Sequence, residues 1–335
     1  MNNKKYFIGI DLSKHTLDIA INKEAEQQWQ LKVSNDLEGM KALEKKAKAL
    51  KVDLKNALFC LEYTGLYKHI LVEFLSSKKY DIWVENPVAI KSSLGLQRGK
   101  KDKIAAKRIA QYAYRFQDKA PLGQPERAII QELRRLTTLP ERLIKISGQL
   151  EKPLTEEKNC MPPASDKIQK KSCKQPLKAL KQSIEAINKQ IKDLIYSDEK
   201  LKHQHKLVTS VHGVGSVTAC QMRVSRNEFT KIKTGKKFGC YSGVARFEFS
   251  SGSSIQGRHQ VSDFANKSLK SALHMASLSA IQMKGELQEY YQRQVDAGTP
   301  KMSVLNAVRN KLLQRVCAFV RANRMYEPEY VYKAV

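Results

Sequence analysis

The chain has 335 residues, and its 60 lysine and arginine residues against 33 aspartate and glutamate residues give a formal net charge of +27. An apolar share of 41% excludes a disordered chain. No apolar run approaches the roughly 18 residues of a membrane-spanning helix, and the N-terminus lacks the layout of a secretory signal, so we expect a cytoplasmic protein. Positive charge of this size favours a nucleic acid as the partner, with an anionic membrane surface as the alternative.

Residues 1–120 alternate strand-like and helix-like segments and form the first predicted domain. Three short strands, KYFIGID, LDIAI and WQLKV, follow one another closely enough to pair as a meander. Asn35 or Asp36 then caps a helix, and the strands ALFCLE and YDIWVE follow, each before a further helix. The last helix spans about Asp102 to Phe116. This order predicts a mixed sheet flanked by helices.

Residues 121–205 lose the strand signals and take a heptad-like spacing of apolar residues, which is typical of two helices that pair. Pro140 is expected to kink or start the first helix. A polar loop near 151–175 is expected to separate the two helices. An ordinary helical hairpin between domains and a dimerisation arm explain this pattern equally well.

Residues 206–335 form the third predicted domain, which is mostly helical and has a glycine- and serine-rich loop in its middle. The stretch SVHGVGSVTA (210–219) predicts a tight turn before a helix. Exposed backbone N–H groups at such a helix start suit a phosphate of a nucleic-acid strand. The alternative is a tight turn between two helices without any ligand.

Three acidic residues stand where a strand ends or a helix begins. Asp11 ends the first strand, Glu62 ends the fourth, and Asp102 lies in the first turn of a helix. If the first and fourth strands are neighbours, the three carboxylates can meet at one edge of the sheet. Such a set of oxygen ligands favours Mg²⁺ or Mn²⁺. Each carboxylate alone could be a cap or a surface residue, but their combination on a basic protein indicates a metal site.

Six segments of the sequence resemble the DEDD transposases of bacterial insertion sequences, the IS110 family. That family includes bridge-RNA-guided recombinases and Piv-type site-specific invertases. The segments lie within residues 6–120 and 207 to about 320, in the family's order. They are IGIDLSK, CLEYTGLY, VENPVAIKSSLGLQRGKKDKIAAKRIAQYA, SVHGVGSVTA, FGCYSGVARFEFSSGSSIQGRHQVS and NKSLKSALHMASLSA.

The resemblance implies a RuvC-like, ribonuclease-H-type domain, a coiled-coil connector and a mostly helical C-terminal transposase domain. It also implies that a serine nucleophile, next to carboxylates that bind Mg²⁺, recombines double-stranded donor and target DNA. A bridge RNA as guide, a homo-oligomer (a dimer or a tetramer) and a place at the bacterial nucleoid belong to the same expectation. By motif position, Asp11, Glu62 and Asp102 match the first three acids, and Ser251 matches the serine.

Two residues depart from the family's pattern. The fourth acid should follow the third by three residues, where this chain has Ala105, and Arg246 replaces the proline of GVAP. Residues 102 and 105 share a helix face, so the replacement removes a carboxylate from the metal site itself. We therefore expect the site to bind its metal ion more weakly and to neutralise less of the negative charge of a nucleic-acid phosphate. The chain is therefore either a recombinase that is impaired at Ala105 or a catalytically inactive RNA- and DNA-binding descendant. A metal nuclease confined to the first domain would leave the segment around Ser251 unexplained.

Basic residues cluster at two places where we expect contacts with nucleic acid. One cluster surrounds Asp102, the other lies in the third region, and an arginine near Ser251 could neutralise a phosphate. A run of charge is often only a solvated helix face, but here the excess extends along the whole chain. The expected nucleic-acid-binding residues are Lys100, Lys101, Lys103, Lys107, Arg108, Lys236, Lys237 and Arg258.

Overall fold

The computed structural model describes residues 4–62, 65–93, 102–120, 127–156, 163–229, 234–251, 255–261 and 265–327. The chain divides into two compact units, residues 1–125 and 126–335. In these described ranges no helix is long and apolar enough to cross a membrane. The division into three domains, with boundaries at 120/121 and 205/206, stays a prediction.

A mixed sheet of five strands forms the centre of the first unit, in the spatial order β3-β2-β1-β4-β5. The first three strands pair antiparallel as the predicted meander, whereas β1 is parallel to β4 and β4 is parallel to β5. The sheet fits the expected ribonuclease-H-type domain, and the first and fourth strands are neighbours. The strands are β1 (Tyr6–Leu12), β2 (Thr16–Lys23), β3 (Glu26–Ser34), β4 (Ala57–Glu62) and β5 (Asp81–Glu85).

Helices cover both faces of this sheet. The first helix begins after Asp36, whose carboxylate accepts a hydrogen bond of 2.8 Å from the backbone N–H of Gly39, as predicted for a cap. Its buried Met40 and Leu43 join the apolar cluster on one face, and Tyr112 of the fourth helix joins the cluster on the other. The helices are α1 (Leu37–Ala49), α2 (His69–Ser77), α3 (Pro87–Ser93) and α4 (Asp102–Arg115).

Two long helices, α5 (Ala128–Glu156) and α6 (Pro163–Tyr196), open the second unit and pack as an antiparallel pair. Leu133 near the start of α5 shares an apolar cluster with Ile191 and Ile195 near the end of α6. The pair agrees with the predicted helical hairpin. A supercoil between the two helices stays a prediction.

The expected polar loop near 151–175 was wrong, and α5 does not start at Pro140, whereas a kink at Pro140 stays a prediction. The loop near 151–175 is helical on both sides of residues 157–162, and α5 begins well before Pro140 and continues through it. Pro163 takes the first position of α6, where a missing N–H costs little, whereas Pro153 lies inside α5 and removes one hydrogen bond of that helix. Packing along the pair keeps the chain helical at Pro140, which is buried.

The remaining helices of the second unit surround an apolar core that includes Val208, Phe238, Leu273 and Leu312. The expected glycine- and serine-rich loop instead contains an antiparallel hairpin of β6 (Arg246–Ser251) and β7 (Ile255–Val261). The alternation of aromatic and polar residues in RFEFS is typical of a strand and outweighs the loop-like composition. The helices are α7 (Glu199–Thr209), α8 (Ser216–Arg226), α9 (Gly235–Tyr241), α10 (Lys267–Gln282), α11 (Glu286–Asp296) and α12 (Lys301–Ala322).

Candidate active site

The ends of β1 and β4 bring Asp11 and Glu62 to the same edge and the same face of the first unit's sheet. In the parallel register, Gly9 lies beside Cys60, two residues before each acid. Because side chains alternate between the faces of a strand, both acids extend on the face of Gly9 and Cys60. Both are partly buried. Two carboxylates far apart in the chain therefore become neighbours.

Helix α4 covers this face because Gly9 has no side chain. A Cβ atom at Gly9 would lie 2.2 Å from the backbone nitrogen of Ala110 and 2.3 Å from the carbonyl oxygen of Ala106. Ala20 of β2 packs against the same two alanines. Small residues on both sides thus allow the helix backbone to approach the strands directly.

The direction of α4 brings its first turn to the edge where β1 ends. Tyr114 near the end of α4 contacts Phe7 near the start of β1, with ring centroids 5.2 Å apart, so residues before Ala106 extend toward Asp11. The backbone of Asp102 begins this helix, and its side chain lies outside the described part of the structure. Ala105, at the position of the expected fourth acid, is partly buried.

Asp18 is a further carboxylate on this face that the sequence reasoning missed. It lies directly opposite Asp11 in the antiparallel register of β1 and β2. It is nearly fully buried, and its Oδ2 atom lies 3.2 Å from Nζ of Lys32. Two opposed carboxylates repel, so a positive charge is required between or beside them. The sequence signal that could have identified Asp18 is the alternation in LDIAI, which places Asp18 and Ala20 on the same face of the strand.

Glu85 is the counterpart of Asp18 on the other side of the site. It ends β5 beside Glu62, and its Oε2 atom accepts hydrogen bonds from Trp83 Nε1 (3.1 Å) and the Tyr112 hydroxyl (3.3 Å). These donors hold Glu85 in a fixed position. Its place at the end of YDIWVE, matching that of Glu62 in ALFCLE, could have identified it.

Burial and the negative charge of the acids shift the pKa values of several groups on this face. Burial raises the pKa of Glu62. Burial, together with the negative charge of Glu85 and a hydrogen bond to it, raises the pKa of Tyr112 to about 12. Burial, reinforced by Glu85 and Glu62, also raises the pKa of Cys60, which stays a thiol. The face therefore favours groups that reduce its negative charge.

An Mg²⁺ or Mn²⁺ ion suits this set of donors, because carboxylate oxygens are its preferred protein ligands. Asp11 and Glu62 would supply two positions and Asp102 a third. Among the side chains that the structure describes, no group of three potential ligands is assembled, and Asp102 is not among them. The residues present fit the ion in chemical type.

The predicted serine lies in the second unit. Ser251 is the last residue of β6 and pairs with Ile255 across residues 252–254, which lie outside the described residues. The side chains of Ser251 and Arg258 lie outside them too. Arg246, at the start of the hairpin, donates a hydrogen bond of 2.9 Å from Nη2 to the carbonyl oxygen of Ser303 in α12 and a second one to its hydroxyl. The residue that replaces the family's proline thus ties the hairpin to α12.

The structure describes part of the predicted nucleic-acid-binding set. Lys107 is exposed on α4, and Arg108 beside it is partly buried. Lys236 and Lys237 are exposed in the first turn of α9. The side chain of Lys103 lies outside the described part of the chain, as do Lys100 and Lys101.

The turn in SVHGVGSVTA joins α7 to α8. Gly213 has φ +86°, and a Cβ atom there would lie 2.5 Å from Cβ of Ala280 in α10, so packing alone requires this glycine. Gly215 precedes α8 and provides no side-chain cap for the first N–H groups of the helix. A phosphate contact at this helix start stays a prediction.

Comparisons with known proteins match both units. Residues 8–156 match a family described as "Transposase", of the DEDD type of IS110, and residues 205–292 match one described as "Transposase IS116/IS110/IS902 family". Similar proteins include the pilin gene-inverting proteins of Moraxella bovis and Moraxella lacunata, which are 27% and 26% identical over 328 residues, covering 96% of this chain and 98% of each relative. An uncharacterized 43.6 kDa protein of insertion element IS110 from Streptomyces coelicolor is 28% identical over 152 residues, or 44% of this chain and 37% of that protein.

Proposed function

Because the chain belongs to the IS110 family of transposases, which are enzymes of DNA recombination, we propose that it cuts and rejoins double-stranded DNA through Ser251 beside a divalent-ion site of Asp11, Glu62 and Asp102. The observation that supports this proposal best is the common face of Asp11 and Glu62 at the ends of two parallel strands. Asp102, in the first turn of α4, completes the proposed set.

The proposed reaction is a transfer of a DNA phosphoryl group to the serine. The Ser251 hydroxyl gives up its proton and its oxygen forms a bond to phosphorus, the bond between phosphorus and the leaving deoxyribose oxygen breaks, and the leaving oxygen takes up a proton. The phosphoserine ester keeps the energy of the broken bond, so a second DNA end can reverse the step and be joined. When bound, Mg²⁺ supplies charge neutralisation and lowers the cost of deprotonating the hydroxyl. Arg258 is proposed to bind the phosphate oxygens.

A guide RNA and a homo-oligomer, a dimer or a tetramer, complete the proposal. The charge of +27 supports binding of polyanions, and we propose that a bridge RNA is one of them beside the DNA. The serine and the acids would then meet within one protomer or between two. The name of the Moraxella relatives describes inversion of a gene, and inversion needs the same cutting and rejoining steps as transposition.

The test restores the missing carboxylate. The Ala105→Asp variant is incubated with Mg²⁺, the RNA that copurifies with the protein and DNA matching that RNA. Denaturing electrophoresis should then show a covalent protein–DNA adduct. The adduct should disappear with Ser251→Ala or with a chelator and persist with Ser253→Ala. An adduct that survives Ser251→Ala would contradict the role of this serine.

The second candidate function is binding without catalysis, which Ala105 specifically favours. RNA and DNA affinity would then survive Ser251→Ala and chelation, and the Ala105→Asp variant would cut nothing. The same experiment separates the two candidates, because only the first predicts an adduct.

A further inference from the structure

Helix α6 carries a row of lysines along one side, which we call the α6 lysine row. Neighbouring members are one, three or four residues apart, except that Lys181 and Lys189 are eight apart, with Glu185 midway between them. At 3.6 residues per turn, all of them lie within a sector of about 100° around the helix axis. Every one is exposed. The row consists of Lys167, Lys170, Lys171, Lys174, Lys178, Lys181, Lys189 and Lys192.

The α6 lysine row is separate from the surface that pairs α6 with α5. Ile187 and Ile191, which pack against α5, lie more than a quarter turn around the helix from the centre of the row. The row therefore lies outside this apolar seam, and its lysines are exposed.

Repulsion along the row makes it unfavourable as an ordinary solvated face. Residues three or four apart are neighbours on a helix, and like charges at this spacing destabilise it. A solvated helix usually alternates acids with bases at these positions, but residues 167–184 contain no aspartate or glutamate. A polyanion along the row would remove this repulsion.

The dimensions of the row match a duplex. Lys167 and Lys192 are 25 residues apart, so the row is about 38 Å long at 1.5 Å per residue. This length corresponds to about 11 base pairs at 3.4 Å each, about one turn of DNA. No Phe, Trp or Tyr occurs in residues 163–195, whereas single strands are typically bound by stacking on aromatic rings.

We propose that the α6 lysine row binds the sugar–phosphate backbone of double-stranded DNA over about one helical turn, without reading its sequence. DNA is the committed partner because the family acts on DNA. The row lies outside every group named for strand exchange, so the proposal does not depend on the chemistry of Ser251. It gives the helical hairpin a function other than the dimerisation arm considered from the sequence.

The experiment compares two triple variants of the full-length, RNA-free protein. The row variant is Lys174→Gln, Lys178→Gln and Lys181→Gln. The control variant is Lys41→Gln, Lys45→Gln and Lys48→Gln, which removes the same charge from three exposed lysines on one face of α1. Binding of a labelled 40-base-pair duplex DNA of arbitrary sequence is measured by fluorescence anisotropy between 50 and 200 mM salt.

The row variant should lose about tenfold or more in affinity and lower the salt slope by about 2, since each phosphate contact contributes about 0.9. The control should change the slope by less than about 1. Equal changes in both variants would overturn the proposal. So would a loss of affinity for duplex RNA of the same length with DNA binding intact.

A charge-preserving variant separates a lost contact from a folding defect. Lys174→Arg, Lys178→Arg and Lys181→Arg should keep the affinity and the slope of the unmodified protein. The glutamine variant should melt at the same or a higher temperature, because its helix carries less repulsion. If the arginine variant binds as poorly as the glutamine variant, contact with phosphate is not the cause and the proposal fails.

Discussion

Gly9 determines how closely α4 approaches the strand that carries Asp11. The contacts that a Cβ atom would make there involve backbone atoms of Ala106 and Ala110, which cannot rotate away as a side chain can. The absence of a side chain at Gly9 therefore sets the distance between α4 and β1. The position of Asp102 relative to Asp11 follows from it.

Gly9→Ala should destabilise the protein by about 3 kcal/mol, because α4 must shift to make room. Gly148→Ala is the matched control, since nothing lies within 4 Å of a Cβ atom at that position inside α5. It should stabilise the protein by up to about 1 kcal/mol. Unfolding in denaturant measures both. A Gly9→Ala protein as stable as the unmodified one would contradict the close packing of α4.

His205 is a buried histidine whose tautomer is set by its neighbours. Nη2 of Arg223 lies 3.1 Å from its Nδ1 atom, and arginine can only donate, so Nδ1 accepts. Nε2 therefore carries the proton and donates to the hydroxyl of Ser216 at 3.3 Å. Burial, and then the charge of Arg223, lower the pKa of His205 to about 4.

This shift predicts a loss of stability in acid. The folded protein keeps His205 neutral down to about pH 4, whereas the unfolded chain takes up the proton near pH 6.5. The contribution of neutral His205 to the free energy of unfolding is complete above pH 6.5. It falls by up to about 3 kcal/mol between pH 6.5 and 4. Between pH 6.5 and 4, the free energy of unfolding should decrease less for the His205→Gln variant than for the unmodified protein. For the variant of the exposed His203, His203→Gln, it should decrease as much as for the unmodified protein. Identical decreases in all three proteins would exclude His205 as the cause.

At the scale of elements, Arg127 connects three helices of the second unit. Its guanidinium group donates to both oxygens of Asp198, the cap of α7, and to both oxygens of Glu228, just after α8, at 2.6–3.1 Å. Residues 227–229 are all in the left-handed region, with φ of 47°, 55° and 63°, an uncommon and strained run for residues other than glycine. The arginine, directly before α5, thus holds the strained turn and the base of the helical pair together.

Arg127→Ala should destabilise the protein by about 2 kcal/mol. Its side chain is 37% exposed, which screens the ion pairs, but Glu228 is only 4% exposed and, among the described side chains, would keep the ion pair with Lys200 at 3.4 Å. Arg135→Ala, which breaks an exposed pair with Glu132, should cost about 0.5 kcal/mol or less. Thermal and denaturant unfolding of the two variants measure the difference. Equal effects would show that the Arg127 contacts do not stabilise the unit.

At the scale of the whole molecule, the charge of +27 should destabilise the folded state through self-repulsion. Raising the salt from 10 to 150 mM shortens the screening length from about 30 to about 8 Å. We expect the melting temperature to rise by about 3 °C or more over this range. A neutral osmolyte of equal osmolality should raise it less. A melting temperature that is constant or falls with salt would contradict this view of the charge.

Local patterns in the sequence determined most elements of the first unit. The alternation in KYFIGID and LDIAI, the cap at Asp36 and the strand ends at Asp11 and Glu62 are properties of short segments, so they could be predicted without the fold. The prediction of a shared acidic edge required the first and fourth strands to be neighbours, and their parallel pairing confirms that they are. The roles of the acids and of Ser251 remain proposals, because catalysis depends on a bound ion and on DNA as well as on the position of these residues.

Only the tertiary structure decided the remaining features. Asp18 and Glu85 join the acidic face through strand pairing, Gly9 matters because α4 packs on it, and Arg127 reaches acids 71 and 101 residues away. The segment expected as a loop near 151–175 is helical over 151–156 and 163–175 although Pro153 lies inside α5, and the flanks of the serine-rich stretch pair as β6 and β7. Periodicity and capping are local, so the sequence displays them, whereas register, close packing and ion pairs depend on residues distant in the chain and exist only once it has folded.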